Sequence, residues 1–415
     1  MNNKTLLYLT KDQRIPYVHS GCYDKDMASI GGNSGNNIFQ YSIQNILLPD
    51  NIELKSDDEL EYINDWSHYN GLMILPANIF SSNAAKKLEY WTNIISRSKL
   101  PAYVIAAGAQ SKYDYSFNFM EKIKRESYNF VKTVLDSGGK IGVRGYFTQE
   151  AICKLGFKPE DCEVIGCPSI FINGGDLKVD PARLNENELI PMLNGNPIWN
   201  HPQVYKIFDN YKESYFVDQD KFYRLLYYPQ NLGRKDLKFL AGSNNLWYKM
   251  YSQDRIKFYG DYDAWVNGLK NLKINFSFGS RIHGNILPIL QGIPSYILAT
   301  DSRVRELAEY FEIPFERMPK QLKSLYEYYQ LADYGNFNKN FAAKYEKFVG
   351  FINSCGLNVI AAQNKIDASH TMPQISLQNR AAIEHYHRWC GRSKLLYLVY
   401  IAYRAVAKKI FKKRK

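Results

Sequence analysis

The stretch Gly279–Glu306, GSRIHGNILPILQGIPSYILATDSRVRE, decides how the rest of the chain is read. A short apolar run ends in Ser-Arg-Ile-His-Gly, a helix-like segment follows, and Gly-Ile-Pro leads into a second apolar run, Ser295–Ala299. That is the strand–helix–strand rhythm of a parallel α/β layer. Arg281 and His283 lie two apart where the strand gives way, so in extended backbone both point to one side. Gly279 and Gly284 bracket them and permit close backbone approach. From Asn285 onward the pattern is helical, and free backbone N–H groups at a helix start favour an anion. The spacing suits a phosphate or carboxylate. It equally suits an Arg that ties two strands and a His that caps a helix.

Working outward, the first half alternates in the same way. Leu72–Pro76 and Tyr103–Ala107 read as buried parallel strands, with Ile141–Val143 and Val164–Ile165 continuing the sheet. Helical patterns fall at Ile38–Leu48, Asn83–Ser98, Phe119–Asp136 and Thr148–Leu155. The Pro- and Gly-rich stretch from Pro168 to about Gln203 reads as the domain connection. Beyond it, strands are expected at Phe222–Tyr228, Ile256–Tyr259, Ile274–Phe278 and Ser295–Ala299, and helix from Pro319 to about Ala362. The fold class is therefore α/β, with two Rossmann-like domains over 1–180 and 181–362. A polar linker is expected over 363–392.

The 415 residues suit two domains, and 45% hydrophobic with 23% charged residues is a globular composition. Six scattered Cys have no metal-ligand spacing and suggest a reducing compartment. The N-terminal apolar run is too short for a signal sequence, so a cytoplasmic location is expected. The net charge of +12 is concentrated at one end. Nine Lys and Arg and no acid lie from Arg392 onward, leaving 44 bases against 41 acids elsewhere. The pI of 9.1 is thus no argument for nucleic-acid binding by the fold. Residues 393–415 read as a basic amphipathic helix, with Leu395, Val399, Ala402, Tyr403, Val406 and Ile410 on one face. Such a helix is expected on an anionic membrane surface, because its terminal bases cannot easily be buried; packing on the body or on a second subunit is the alternative.

Three blocks in order carry a resemblance. The first is SRIHGNILPILQGIPSYILATDSRVRELAEYF from Ser280. The second is Ile141–Phe171, IGVRGYFTQEAICKLGFKPEDCEVIGCPSIF. The third is the loop Gly31–Asn37, GGNSGNN. Together they resemble the polysaccharide pyruvyl transferase family: its Ser-x-Arg-x-His helix with Gly-x-Pro and Asp-x-Arg-x-x-Glu, its Val-Arg-Gly strand end with Gly-Cys-Pro-Ser, and its Gly-Asn-x-Gly-Asp loop. Asn36 stands where that loop ordinarily carries Asp.

The resemblance implies a fold similar to the GT-B glycosyltransferases, with two domains facing across a cleft. It implies phosphoenolpyruvate as donor and a sugar, in some cases lipid-linked, as acceptor. It places Arg281 and His283 at the donor. Arg suits a carboxylate or phosphate through its bidentate fork, and a His titrating near neutrality suits a general acid that protonates the enol methylene. No metal or cofactor is needed for that route. Arg144, at a strand end, is expected either to contact an anion or the acceptor, or to pair with Glu150. Asn33, Ser34, Asn36 and Asn37 are either ligand-facing amides and hydroxyl or a turn and helix cap. Ser280, Asn285 and the flanking glycines complete the donor loop. Asp301 is expected to cap a helix and Glu306 to pair with Arg303, which is the one of the three to reach ligand. Rival readings are a GT-B glycosyltransferase using a nucleotide sugar, and a sugar-binding relative without turnover.

Overall fold

The computed structural model describes residues 4–9, 20–47, 52–229, 232–242, 246–359 and 377–390, together with Val399, Ala402 and Tyr403. Two six-stranded sheets, all parallel, form its two halves. The first contains β1 (Lys4–Leu9), β2 (Ile52–Ser56), β3 (Tyr69–Ile74), β4 (Ala102–Ala107), β5 (Lys140–Val143) and β6 (Glu163–Val164), in the order β2-β1-β3-β4-β5-β6. The second contains β7 (Pro191–Asn194), β8 (Tyr215–Asp218), β9 (Ile256–Phe258), β10 (Phe276–Gly279), β11 (Ser295–Ala299) and β12 (Phe315–Arg317), in the order β12-β11-β10-β7-β8-β9. The strand order reverses between β1 and β3 in one sheet and between β7 and β10 in the other. Ligands of open α/β sheets bind in the crevice such reversals leave at the carboxyl ends of the strands. Phe278 of β10 pairs with Leu193 of β7 and Tyr296 of β11, so Arg281 emerges at this crevice.

Helices cover both sheets, and the central strands are buried on both faces, as their unbroken apolar runs require. The helix Ser34–Ile46 has every residue but Asn36 buried. It lies between the halves, where Asn37 Nδ2 donates to Gly260 O at 2.8 Å and Ser34 N to Gln219 O at 3.1 Å. The long helix Gly335–Ser354 follows the second sheet in sequence yet returns to the first. Phe171 meets Phe341 and Phe348 at centroid distances of 5.5 and 5.0 Å, and Asn338 Oδ1 accepts from Val179 N at 2.9 Å.

Several expectations are corrected. Phe222–Tyr228 is helical: Lys221–Tyr227 forms a short helix whose Phe222 N donates to the Asp218 carboxylate at 2.7 Å. Its apolar run reflects burial of Phe222, Tyr223, Leu225 and Leu226, and a short apolar run has no period to separate helix from strand. The strand of that region is β8. The stretch 168–203 is more than a connection, because it contains β7, the central strand beside β10. Pro191 is tolerated as the first residue of that strand. The expected linker 363–392 contains a helix, Leu377–Cys390, whose Ile383 and Tyr386 are buried. Of the expected tail helix over 393–415, only Val399, Ala402 and Tyr403 are described, and the rest lies outside the described residues. Among the described residues no helix is long and apolar enough to cross a membrane.

Candidate active site

The reversal point of the second sheet is built by Asn194, the last residue of β7. Its backbone O accepts from Ser280 N at 3.2 Å, and its Oδ1 accepts from Arg281 N at 2.9 Å. Asn285 completes the turn, donating to Arg281 O at 2.8 Å and Gly279 O at 3.2 Å. A Cβ at Gly279 would stand 2.2 Å from Asn194 O, so that glycine serves the close approach of two strand ends. Arg281 and His283 thereby leave the sheet at the start of the helix Ile282–Ile289, which no side chain caps.

A cavity of about 400 Å³ opens there, lined from both halves of the molecule. Arg281, His283, Arg303 and Ser280 come from the second sheet, and Asn33, Asn36, Asn78 and Arg144 from the first. Arg281 donates to Asp220 at 2.5 Å, and Arg303 holds the Asp301 carboxylate at 2.5 and 3.1 Å. Both remain about one-third exposed. Arg144 differs. It is buried, donates to Asn78 Oδ1 at 2.9 Å, lies over the Phe39 ring, and leaves Nε without a partner. No carboxylate of the described residues stands within ion-pair distance of it. A buried guanidinium in that condition is costly unless an anion completes it.

His283 is buried beside these cations, and its Nε2 has no hydrogen-bond partner. Burial first, then Arg144 and Arg281, depress its pKa to about 3. The expectation of a His titrating near neutrality is therefore corrected: this imidazole is neutral near pH 7. Glu306 is also not as expected. Its carboxylate accepts from Thr148 N at 2.6 Å and Thr148 Oγ1 at 2.9 Å, across the two halves, and it does not pair with Arg303. Burial raises its pKa to about 7. Arg144 does not pair with Glu150, which holds Lys154 instead. Asp301 caps the helix Ser302–Phe311 as expected, accepting from Arg303 N and Val304 N.

Of the residues proposed for the site, Arg281, His283, Arg144, Asn33, Asn36, Ser280 and Arg303 line one cavity. Ser34, Asn37, Gly279, Gly284 and Asn285 are not among its lining residues. They fix the turn and join the halves. Asn78, Asn196, Gln219 and Thr300 also line it and were not singled out from the sequence. Amides in loops are too common to stand out in a single chain. Their position after β3, β7 and β8 is the signal that topology alone supplies. No cluster of metal-ligating side chains occurs among the described residues.

Two doubly wound parallel sheets with a cationic cleft at their reversal point make a GT-B-like fold. The chain belongs to the polysaccharide pyruvyl transferase family, whose model matches residues 33–302, and it is accordingly a transferase. No curated protein sequence matches it. Among solved structures it is similar to the UDP-GlcNAc 2-epimerase of Methanocaldococcus jannaschii, at 12% identity over 85% of this chain and 99% of that one, with a TM-score of 0.41. The UDP-GlcNAc 2-epimerase of Neisseria meningitidis is similar at 10% identity over 85% and 100%, with a TM-score of 0.43.

Proposed function

We propose that the protein transfers pyruvate from phosphoenolpyruvate to a sugar of an exopolysaccharide, capsule or lipopolysaccharide precursor, forming a ketal. The observation that carries this reading is Arg144, a buried guanidinium that no carboxylate of the described residues pairs with, lining one cavity with Arg281, Arg303 and His283, whose Nε2 has no partner. Phosphoenolpyruvate carries a carboxylate and a phosphate, so two guanidinium forks match its two anionic ends.

The electrostatics then give His283 its proton at the right moment. Burial first, then Arg144 and Arg281, disfavour its protonated form. A donor bearing about three negative charges offsets those two cations and favours the imidazolium against its burial. Protonated His283 delivers its proton to the donor methylene, which becomes the methyl group, and C2 turns electrophilic. One sugar hydroxyl adds to C2 and returns its proton to His283. The C2–O bond to phosphate breaks, the second hydroxyl adds, and its proton leaves with inorganic phosphate. The sum is donor plus diol giving ketal plus phosphate. Arg281 and Arg144 orient the donor and stabilise the departing phosphate.

The test is phosphate release from phosphoenolpyruvate that depends on a sugar acceptor. Calorimetry in buffers of different ionisation enthalpy should show proton uptake on donor binding, and His283→Gln should abolish that uptake. Turnover from a nucleotide sugar without response to phosphoenolpyruvate would overturn the reading. The tail supports a place beside a membrane-bound acceptor: nine bases and no acid from Arg392 onward suit an anionic lipid surface. Removing residues 393–415 should release the protein from anionic vesicles and leave turnover of a short soluble acceptor intact. Retention on the vesicles would refute the membrane role.

A further inference from the structure

Two side-chain atoms at the cleft have opposite needs, and neither is met. Asn196 follows β7. Its amide nitrogen faces the Asp220 carboxylate at 3.5 Å, so Oδ1 is the free end, and that oxygen is buried without a partner. Gln219 follows β8 and is 3% exposed, and its Nε2 is likewise buried without a partner. Leaving such a group unsatisfied is costly. A carboxylate or phosphate oxygen only accepts. It would serve Gln219 and oppose Asn196 Oδ1. A sugar hydroxyl donates and accepts, and so serves both.

Gln219 is also held in a manner that suits recognition. A Cβ at Gly35 would stand 2.6 Å from its Oε1, and one at Gly284 would stand 2.9 Å from its Nε2. Its backbone O accepts from Ser34 N at 3.1 Å. The amide is thus confined between a glycine of each half, beside His283, whose Cβ would lie 3.1 Å from a Cβ at Gly35.

We propose that Asn196 and Gln219 form the acceptor subsite, binding hydroxyls of an uncharged sugar ring, while Arg144 and Arg281 take the donor. The assignment rests on the pyruvyl-transfer reading above and adds the acceptor's chemical class: a neutral hexose in preference to a hexuronate.

Saturation-transfer NMR and phosphate-release kinetics with methyl hexopyranosides and the matching methyl hexuronosides test it. In the wild-type protein the neutral hexosides should bind and the hexuronosides should not compete. Asn196→Ala and Gln219→Ala should each raise the acceptor KM about tenfold, the loss of one satisfied hydrogen bond. Donor affinity by calorimetry should stay within about twofold. Gln219→Glu, which keeps the shape and replaces the donor Nε2 by an acceptor, should raise the same KM and gives a second route if Gln219→Ala does not fold. Equal use of hexuronosides, absence of neutral-hexoside binding, or a loss of donor affinity at unchanged acceptor KM would each overturn the subsite. A wild-type protein that ignores phosphoenolpyruvate would instead refute the donor reading, and the NMR comparison still decides the subsite.

Discussion

Arg144 shows how one residue sets stability against activity. Among the described residues no carboxylate lies within ion-pair distance of it, and burial disfavours its charge. Arg144→Met keeps the stem and removes the charge. It should raise stability by about 1–3 kcal/mol in urea unfolding while abolishing donor binding, a common trade at active sites. His283 has a definite pH signature. Its folded pKa of about 3 lies below the ordinary value of 6.5, so between them the unfolded chain holds more protons. Its contribution to stability is therefore present above pH 6.5 and lost as pH falls toward 3. His283→Gln should be less sensitive to acid over that window, measured as Tm against pH, while its ketal formation fails.

At the scale of elements, the helix Ser302–Phe311 joins the halves just behind the cations. Ser111 N donates to Ser302 Oγ at 2.7 Å, Ala109 N to Thr148 Oγ1 at 2.9 Å, and Thr148 in turn to Glu306. Thr148→Val strands Ala109 N and removes one of the two donors to Glu306. About 2–3 kcal/mol should be lost in urea unfolding. Glu306, raised to about 7 by burial, acts opposite to His283: its folded form holds the proton more tightly than the unfolded chain. That contribution is full below about pH 4.5 and lost as pH rises through 7, so Glu306→Gln should flatten this part of the curve. Elements were unequally legible in the sequence. β11 was read with its boundaries, because Ser295–Ala299 is an apolar run buried throughout. β7 was hidden by Pro191 and its length of four residues, and β2 and β12 are short edge strands with charged residues. Arg281 and His283 were legible because one turn carries both. Asn196, Gln219 and Asn78 were not, because they converge only when separate strand ends meet.

The whole molecule is two sheets whose cleft depends on both. Asn33, Asn36 and Arg144 enter from one side and Arg281, His283 and Arg303 from the other, so neither half alone holds the site. Residues 1–180 expressed alone should therefore bind no donor. They should also fail to give a cooperative unfolding transition, because Phe171 and Gly142 lose the helix Gly335–Ser354 that covers them. Adding 335–354 as a separate peptide should restore protection, readable by hydrogen exchange.

That returning helix also sets the order of events during synthesis. Phe351 lies within 3.0 Å of where a Cβ of Gly142 would be, although two hundred residues separate them. The ribosome releases Gly142 and Phe171 long before the segment that shields them. At about 5–20 residues per second the aromatic face of the nascent first sheet stays uncovered for some ten to forty seconds. That interval leaves apolar surface of the first half open to aggregation before its cover is made. Chaperone supply and growth temperature, more than the stability of the finished fold, should govern how much active protein a cell accumulates.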